Sequence, residues 1–157
     1  MPGTSKSYKT RRSWPVDDER MTGFTTKIAV LLRDDLLGWQ RLNVTAFLVS
    51  GLASAEPETL GETYVDGGDV EYLPMFRQPV LVFQGGKELL TAAHTRALSR
   101  GVRMSIFTSD LFATGHDAAN RAAVRAVPTA DLDLVGLAVY GPKNAVDKIL
   151  KGASMHG

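Results

Sequence analysis

The sequence predicts an α/β domain with three layers, in which helices cover both faces of a mixed, mostly parallel sheet. Three observations support this prediction. Short apolar runs alternate with longer amphipathic stretches along the chain. The runs are apolar at consecutive positions, which is typical of strands that are buried on both faces. The length of 157 residues, with 44% hydrophobic and 22% charged side chains, fits one ordinary globular domain.

The first elements alternate as this fold requires. Residues 26–32 form an apolar run that ends at charged side chains, which predicts a buried strand. A helix with a broad apolar face follows over residues 36–55, and the proline at position 57 ends it. Residues 63–65 and 70–73 flank a glycine turn, which predicts a hairpin.

The alternation continues through the middle of the chain. Residues 80–83 predict a second buried strand, and residues 87–99 have the apolar spacing of a helix. Gly101 fits the position just after the end of that helix. Residues 104–107 predict a third strand of the main sheet.

The last elements complete the pattern. A helix is predicted over residues 118–127, and a strand over residues 134–139. Pro142 suits the first turn of a final helix over residues 143–151. We therefore expect a single domain over residues 24–152, followed by a tail over residues 153–157.

The N-terminal residues 1–23 differ from the rest in composition. They carry a cluster of lysine and arginine side chains followed by three acidic ones. Two interpretations stay open: a flexible arm, or an over-long start of the reading frame. Such a basic arm is able to grip nucleic-acid phosphates, although the net charge of +1 gives the whole chain no attraction for RNA.

Composition excludes several functional classes. The chain has no cysteine, so disulfides, thiolate nucleophiles and zinc–thiolate sites are absent. No apolar run approaches the roughly 20 residues that span a bilayer, and no signal peptide is readable, so we expect a cytoplasmic protein with no membrane partner. The three histidines lie far apart, with His94 expected on a solvated helix face and His156 in the tail, so no metal or other cofactor is predicted.

Polar side chains concentrate where the predicted strands end. In open α/β sheets, ligands bind beyond the carboxyl ends of the strands. Residues 33–43, 84–87, 108–121 and 140–144 occupy such positions. We expect the loops after residues 26–32 and 104–107 to meet in a shared hollow.

The segment 108–121 supplies the catalytic candidates. Asp110 or His116 is the predicted general base. The binding candidates are the other polar or aromatic side chains at the strand ends: Arg33, Asp35, Trp39, Gln40, Asn43, Lys87, Thr108, Ser109, Thr114, Asn120 and Arg121. A purely structural alternative is a helix start, with Thr114 or Asp117 as the capping residue.

Four stretches carry a family resemblance. They read KIAVLLRDDL from position 27, WQRLNVTAFL from position 39, DLFATGHDAANRA from position 110 and DLDLVGLAVYGPKNAVDK from position 131. Together they are similar to the DUF2000 family of unknown function, over residues 24–152. That family resembles type II peptidyl-tRNA hydrolases in fold, which implies a mixed sheet with helices on both faces.

The resemblance to these hydrolases transfers only part of their catalytic pattern. Arg33 and Asp35 match the segment that ends their first strand, but a family lysine position is occupied by Gln40. The catalytic lysine is therefore not retained, unless Arg41 or Lys87 replaces it. A delocalised guanidinium does not transfer protons as lysine does. The resemblance thus implies the scaffold without implying peptidyl-tRNA hydrolysis.

Three functions stay open at this point. The first is a hydrolase or transferase acting on an ester or amide, with a small-molecule or nucleotide-bearing substrate. The second is a non-catalytic binding module for a small anionic metabolite or RNA. The third is a homodimer that pairs through the apolar helix face around Trp39 and Phe47.

Overall fold

The computed structural model describes residues 23–157, and the prediction of a basic N-terminal arm lies almost wholly outside these residues. The helices are α1 (Gly38–Ala55), α2 (Lys87–Ser99), α3 (Asp117–Arg125) and α4 (Lys143–Ile149). The strands are β1 (Thr26–Arg33), β2 (Tyr64–Val65), β3 (Glu71–Tyr72), β4 (Val80–Gly85), β5 (Met104–Thr108), β6 (Leu134–Pro142) and β7 (Ser154–Met155). None of the described helices is long and apolar enough to cross a membrane.

The main sheet has five strands in the order β5-β6-β1-β4-β7. Only β1 and β4 pair in parallel, whereas the β1–β6, β5–β6 and β4–β7 pairs are antiparallel. The α/β class is confirmed, but the expectation of a mostly parallel sheet is wrong. Apolar residues on both faces of a strand indicate that both faces of the sheet are covered. They do not indicate the direction of the strand.

Helices lie on both faces of this sheet, as the three-layer prediction requires. Successive side chains of β1 point to opposite faces. Ile28 and Val30 pack in one core with Leu48 of α1. Ala29 and Leu31 pack in a second core with the buried side chains of α2 and α4.

Strand direction decides which loops share an edge. β4 is parallel to β1, and β5 runs the same way as β1 because both are antiparallel to β6. The carboxyl ends of β1, β4 and β5 therefore lie at one edge of the sheet. β6 ends at the opposite edge, where Pro142 pairs with Thr26. Residues 140–144 accordingly do not join the other three predicted segments.

The predicted hairpin is present as the two-stranded β2–β3 sheet. The Asp66 carboxylate closes its turn, because it accepts hydrogen bonds from the amides of Gly68 and Val70 at 2.8 and 3.1 Å and from the Tyr72 hydroxyl at 2.8 Å. These bonds, that from Tyr72 foremost, lower the pKa of Asp66. The turn is thus ordered by one side chain although its strands are exposed.

The last residues of the chain extend the sheet, where the sequence suggested a tail. Ser154 and Met155 form β7 on the edge of β4. The amide of His156 donates a hydrogen bond to the Val82 carbonyl at 2.9 Å. A two-residue strand has no periodicity of its own, so only the unpaired edge of β4 explains it.

His94 is buried within α2, where the sequence suggested a solvated position. Its side chain is only 7% exposed, and burial lowers its pKa from the ordinary value of 6.5. The unfolded chain therefore binds this proton more readily than the folded one. The contribution of neutral His94 to the free energy of unfolding is therefore fully present above pH 6.5. It is lost as the pH falls from 6.5 towards the folded-state pKa.

We expect the free energy of unfolding to decline between pH 6.5 and about pH 5.5, before most carboxylates titrate. His94→Leu should remove this decline, because it removes the group that titrates. Urea denaturation at pH 7.5, 6.5 and 5.5 measures the effect. The control is Thr95→Ala, an exposed substitution on the same helix that changes no titratable group. If the free energy of unfolding declined equally with pH in the wild type and in His94→Leu, the assignment of this decline to His94 would be wrong.

Candidate functional site

Helix α1 separates two hollows on its face of the sheet. Its buried residues Val44, Leu48 and Leu52 recur every four positions and pack on the strands. Residues 39, 43 and 47 repeat the same spacing on one flank, and residues 42 and 46 lie on the other. Both flanks carry large apolar side chains, so α1 offers binding walls on either side.

The first hollow, which we call the aromatic hollow, lies between α1 and the segment after β5. It has a volume of about 360 Å³. Its walls are aromatic, apolar and polar side chains from these two parts of the chain, with one glycine: Trp39, Asn43, Phe47, Phe107, Leu111, Phe112, Thr114, Gly115, His116, Asp117 and Asn120. Helix α1, which follows β1, and the segment after β5 therefore share one hollow, whereas the loop residues 34–37 do not line it.

Three ring contacts build the apolar walls. The Trp39 and Phe112 ring centroids are 6.1 Å apart, edge to face, and those of Phe107 and Phe112 are 5.1 Å apart. Phe47 meets Phe107 edge to face at 5.8 Å. Trp39 and Phe47 nevertheless remain 60% and 53% exposed. Aromatic rings that are held by their neighbours but exposed to solvent can pack against another planar group.

His116 serves as the capping residue of α3, a role the sequence assigned to Thr114 or Asp117. Its Nδ1 accepts a hydrogen bond from the Ala119 amide at 3.2 Å. The neutral ring therefore carries its hydrogen on Nε2. His116 is thus suited to donate a hydrogen bond to a ligand, and its basic nitrogen is already occupied.

Two further polar side chains of the hollow, Thr114 and Asp117, are held by contacts with neighbouring residues. The Thr114 hydroxyl contacts the Leu111 carbonyl at 2.9 Å and also the side-chain amide of Asn120. Asp117 and Arg121 form an exposed ion pair one helical turn apart. Because Asp117 compensates its charge, Arg121 is a poor anchor for an anionic ligand.

A wider depression adjoins the aromatic hollow. It has a volume of about 700 Å³ and shares Phe47, Phe107, Leu111, Asp117 and Asn120 with the hollow. These five side chains therefore border both spaces.

Other predicted binding residues form an ion-pair cluster at the same edge of the sheet. Arg33 bonds to Asp35 at 2.7 Å and to Asp133 at 2.8 Å, and Lys87 lies 3.5 Å from Asp133. The hydrogen bond from Ser109 lowers the pKa of Asp133, and Arg33 lowers it further. Arg33 and Lys87 thus already share a carboxylate, which sequence reasoning missed because Asp133 lies 100 residues beyond Arg33.

The predicted residues Asp110, Gln40 and Thr108 belong neither to the aromatic hollow nor to the ion-pair cluster. Asp110 is exposed in a short 3-10 turn and does not line the aromatic hollow. Gln40 accepts a hydrogen bond from the Leu37 amide at 2.9 Å, which starts α1. Thr108 is buried, and its hydroxyl has no hydrogen-bond partner among residues 23–157.

Trp39 was among the predicted binding residues, but the three phenylalanines of the aromatic walls, Phe47, Phe107 and Phe112, were not. Phe107 ends the third predicted strand, and Phe47 lies eight positions after Trp39. That spacing brings Phe47 and Trp39 to one helix flank, and was the available signal. Among residues 23–157, no three histidine, aspartate or glutamate side chains group as metal ligands.

One comparison identifies a family, and another identifies a related solved structure. The family model described as "Protein of unknown function (DUF2000)" matches residues 26–157. The chain is also 46% identical to a protein of unknown function from Agrobacterium tumefaciens strain C58, whose solved structure superposes with a TM-score of 0.83. That match covers 85% of this chain and 99% of the other. No curated protein matches significantly. The likeness to type II peptidyl-tRNA hydrolases stays a prediction.

Proposed function

The chain belongs to the DUF2000 family, and from that premise we propose that it binds a small planar molecule in the aromatic hollow without transforming it. The observation that carries this proposal is the chain of ring contacts from Trp39 through Phe112 to Phe107. These rings hold each other in place and leave Trp39 exposed. Little conformational entropy is then lost when a ligand ring packs against them.

The size and polarity of the hollow narrow the ligand class. Its volume of about 360 Å³ lies in the usual range for small-molecule sites. His116 supplies an Nε2–H donor, and the amides of Asn43 and Asn120 line the same space. Asp117 is the one charged side chain that residues 23–157 contribute to the lining, and it already pairs with Arg121. A neutral heteroaromatic molecule that carries hydrogen-bond acceptors therefore fits best.

The chemistry of the site argues against the hydrolase or transferase alternative. A general base must reach the proton that it removes. Asp110 lies outside the hollow, and the basic nitrogen of His116 is engaged by Ala119. Neither predicted base is then in position to activate water or a hydroxyl group.

Tryptophan fluorescence tests this proposal directly. The chain has two tryptophans, so Trp14→Phe leaves Trp39 as the only reporter. We expect adenine or indole to change its emission saturably. Phe112→Ala should weaken binding by about 10-fold or more, because it removes the ring that links two walls. Tyr64→Ala, an exposed aromatic substitution on the hairpin, should leave the affinity unchanged.

A second variant separates capping from ligand binding. Asparagine is a favourable capping residue, so His116→Asn should keep α3 intact while it removes the Nε2–H donor. We expect weaker adenine binding with an unchanged unfolding midpoint. If neither compound alters Trp39 emission, or if Phe112→Ala binds as well as the parent, the proposal fails. Turnover of p-nitrophenyl acetate that His116→Asn abolishes would instead favour the hydrolase.

A further inference from the structure

A second hollow lies on the other flank of α1, against β4 and β7. It has a volume of about 590 Å³, and its apolar lining includes Leu42, Ala46, Val80, Val82 and Met155. We call it the Arg41 groove, after the charged side chain that it contains.

Four hydrogen bonds hold Arg41 at this groove. Its Nε donates to the Leu36 carbonyl at 2.9 Å, and one Nη2 hydrogen bonds to the Asp34 carbonyl at 2.6 Å. Its Nη1 contacts the Gln84 side-chain oxygen at 3.0 Å and His156 Nε2 at 2.8 Å. All four partners are uncharged acceptors.

None of these four contacts brings a carboxylate within ion-pair distance of the Arg41 guanidinium. Arg33, Lys27, Lys87 and Arg121 each pair with a carboxylate. Arg41 forms no such ion pair with any of residues 23–157, although it is only partly exposed. A partly desolvated guanidinium attracts an anion more strongly than an exposed one does.

Two donors remain for such an anion. A guanidinium has five N–H groups, and the four contacts leave one on Nη2. Because His156 Nε2 accepts from Arg41, the hydrogen of the neutral imidazole lies on Nδ1. Two donors are enough to serve the two oxygens of a carboxylate.

The rest of the groove favours an apolar tail on that anion. Leu42 is 77% exposed, and Ala46 faces the same space. Val80 and Val82 supply the opposite wall from β4. We propose that the Arg41 groove binds an organic carboxylate with a hydrocarbon tail, with the carboxylate at Arg41 and the tail along Leu42, Ala46 and Val82. This site is separate from the aromatic hollow.

Calorimetric titration of the full chain with octanoate and with 1-octanol tests the charge requirement. We expect octanoate to bind at least about 10-fold more tightly, and to lose affinity as salt is raised. The Arg41→Gln variant should bind octanoate no more tightly than it binds 1-octanol. Equal binding of the two compounds to the wild-type protein would overturn the proposal.

Filling the groove gives a test that does not depend on Arg41, which also braces the turn before α1. Ala46→Phe places a ring in the groove and should abolish octanoate binding. Ser50→Phe lies one turn further along α1, outside the groove lining, and should leave binding unchanged. Undiminished binding to Ala46→Phe would refute the site. Phe112→Ala should bind octanoate normally, and a loss there would place the ligand in the aromatic hollow instead.

Discussion

Leu48→Ala is expected to lower the free energy of unfolding by about 2–5 kcal/mol. Leu48 is 1% exposed and belongs to the core between α1 and the sheet. Its Cδ1 lies close above Gly136 of β6, so there is no neighbouring side chain at that position to fill the lost volume. Urea denaturation followed by circular dichroism measures the change.

The adjacent residue provides a matched control. Phe47 lies next to Leu48 in sequence but is 53% exposed and lines the aromatic hollow. Phe47→Ala should cost less than about 1.5 kcal/mol, mainly its ring contact with Phe107. If Phe47→Ala destabilised the protein more than Leu48→Ala, the assignment of the two faces of α1 would be wrong.

Gly136→Val is expected to lower the free energy of unfolding by about 1–3 kcal/mol or more, through overpacking. A Cβ atom at Gly136 would lie 2.7 Å from Val44 Cγ1 and 3.0 Å from Leu48 Cδ1. Both neighbours are buried on α1, so the helix must move away from the sheet to make room. The shift would also disturb both hollows, because α1 forms a wall of each.

A second substitution distinguishes this steric effect from a loss of strand stability. Val44→Ala removes the methyl group that clashes, so the double variant should be more stable than the sum of the single losses predicts. Thermal and urea denaturation of the four proteins give the coupling energy. Additive losses would show that the contact between Val44 and position 136 is not the cause.

The elements of the fold were predictable because their signals are local. The alternation of apolar runs and amphipathic stretches places α1 and α2 within two residues of their observed ends. The glycine turn between residues 66 and 69 likewise predicted the hairpin correctly. Such patterns depend on neighbours three or four positions away, which the sequence displays directly.

The candidate site was predictable only in part. Segments 33–43 and 108–121 do meet, since the strands that precede them end at the same edge. The roles of individual side chains were less accessible. His116 proved to be a helix cap, and Arg33 and Lys87 share Asp133. A polar residue at a strand end looks the same in sequence whether its partner is a ligand or a distant carboxylate.

By itself, the sequence determined the α/β class and the family. Apolar strand and helix faces follow from local residue order, and the family motifs are long continuous stretches of it. The tertiary structure alone decided the directions of β5, β6 and β7, the burial of His94 and the absence of an ion pair between Arg41 and any carboxylate of residues 23–157. Each of these depends on which distant segment becomes a neighbour. Pairing energies between strands or charges act across space, and hydrophobic periodicity does not encode them.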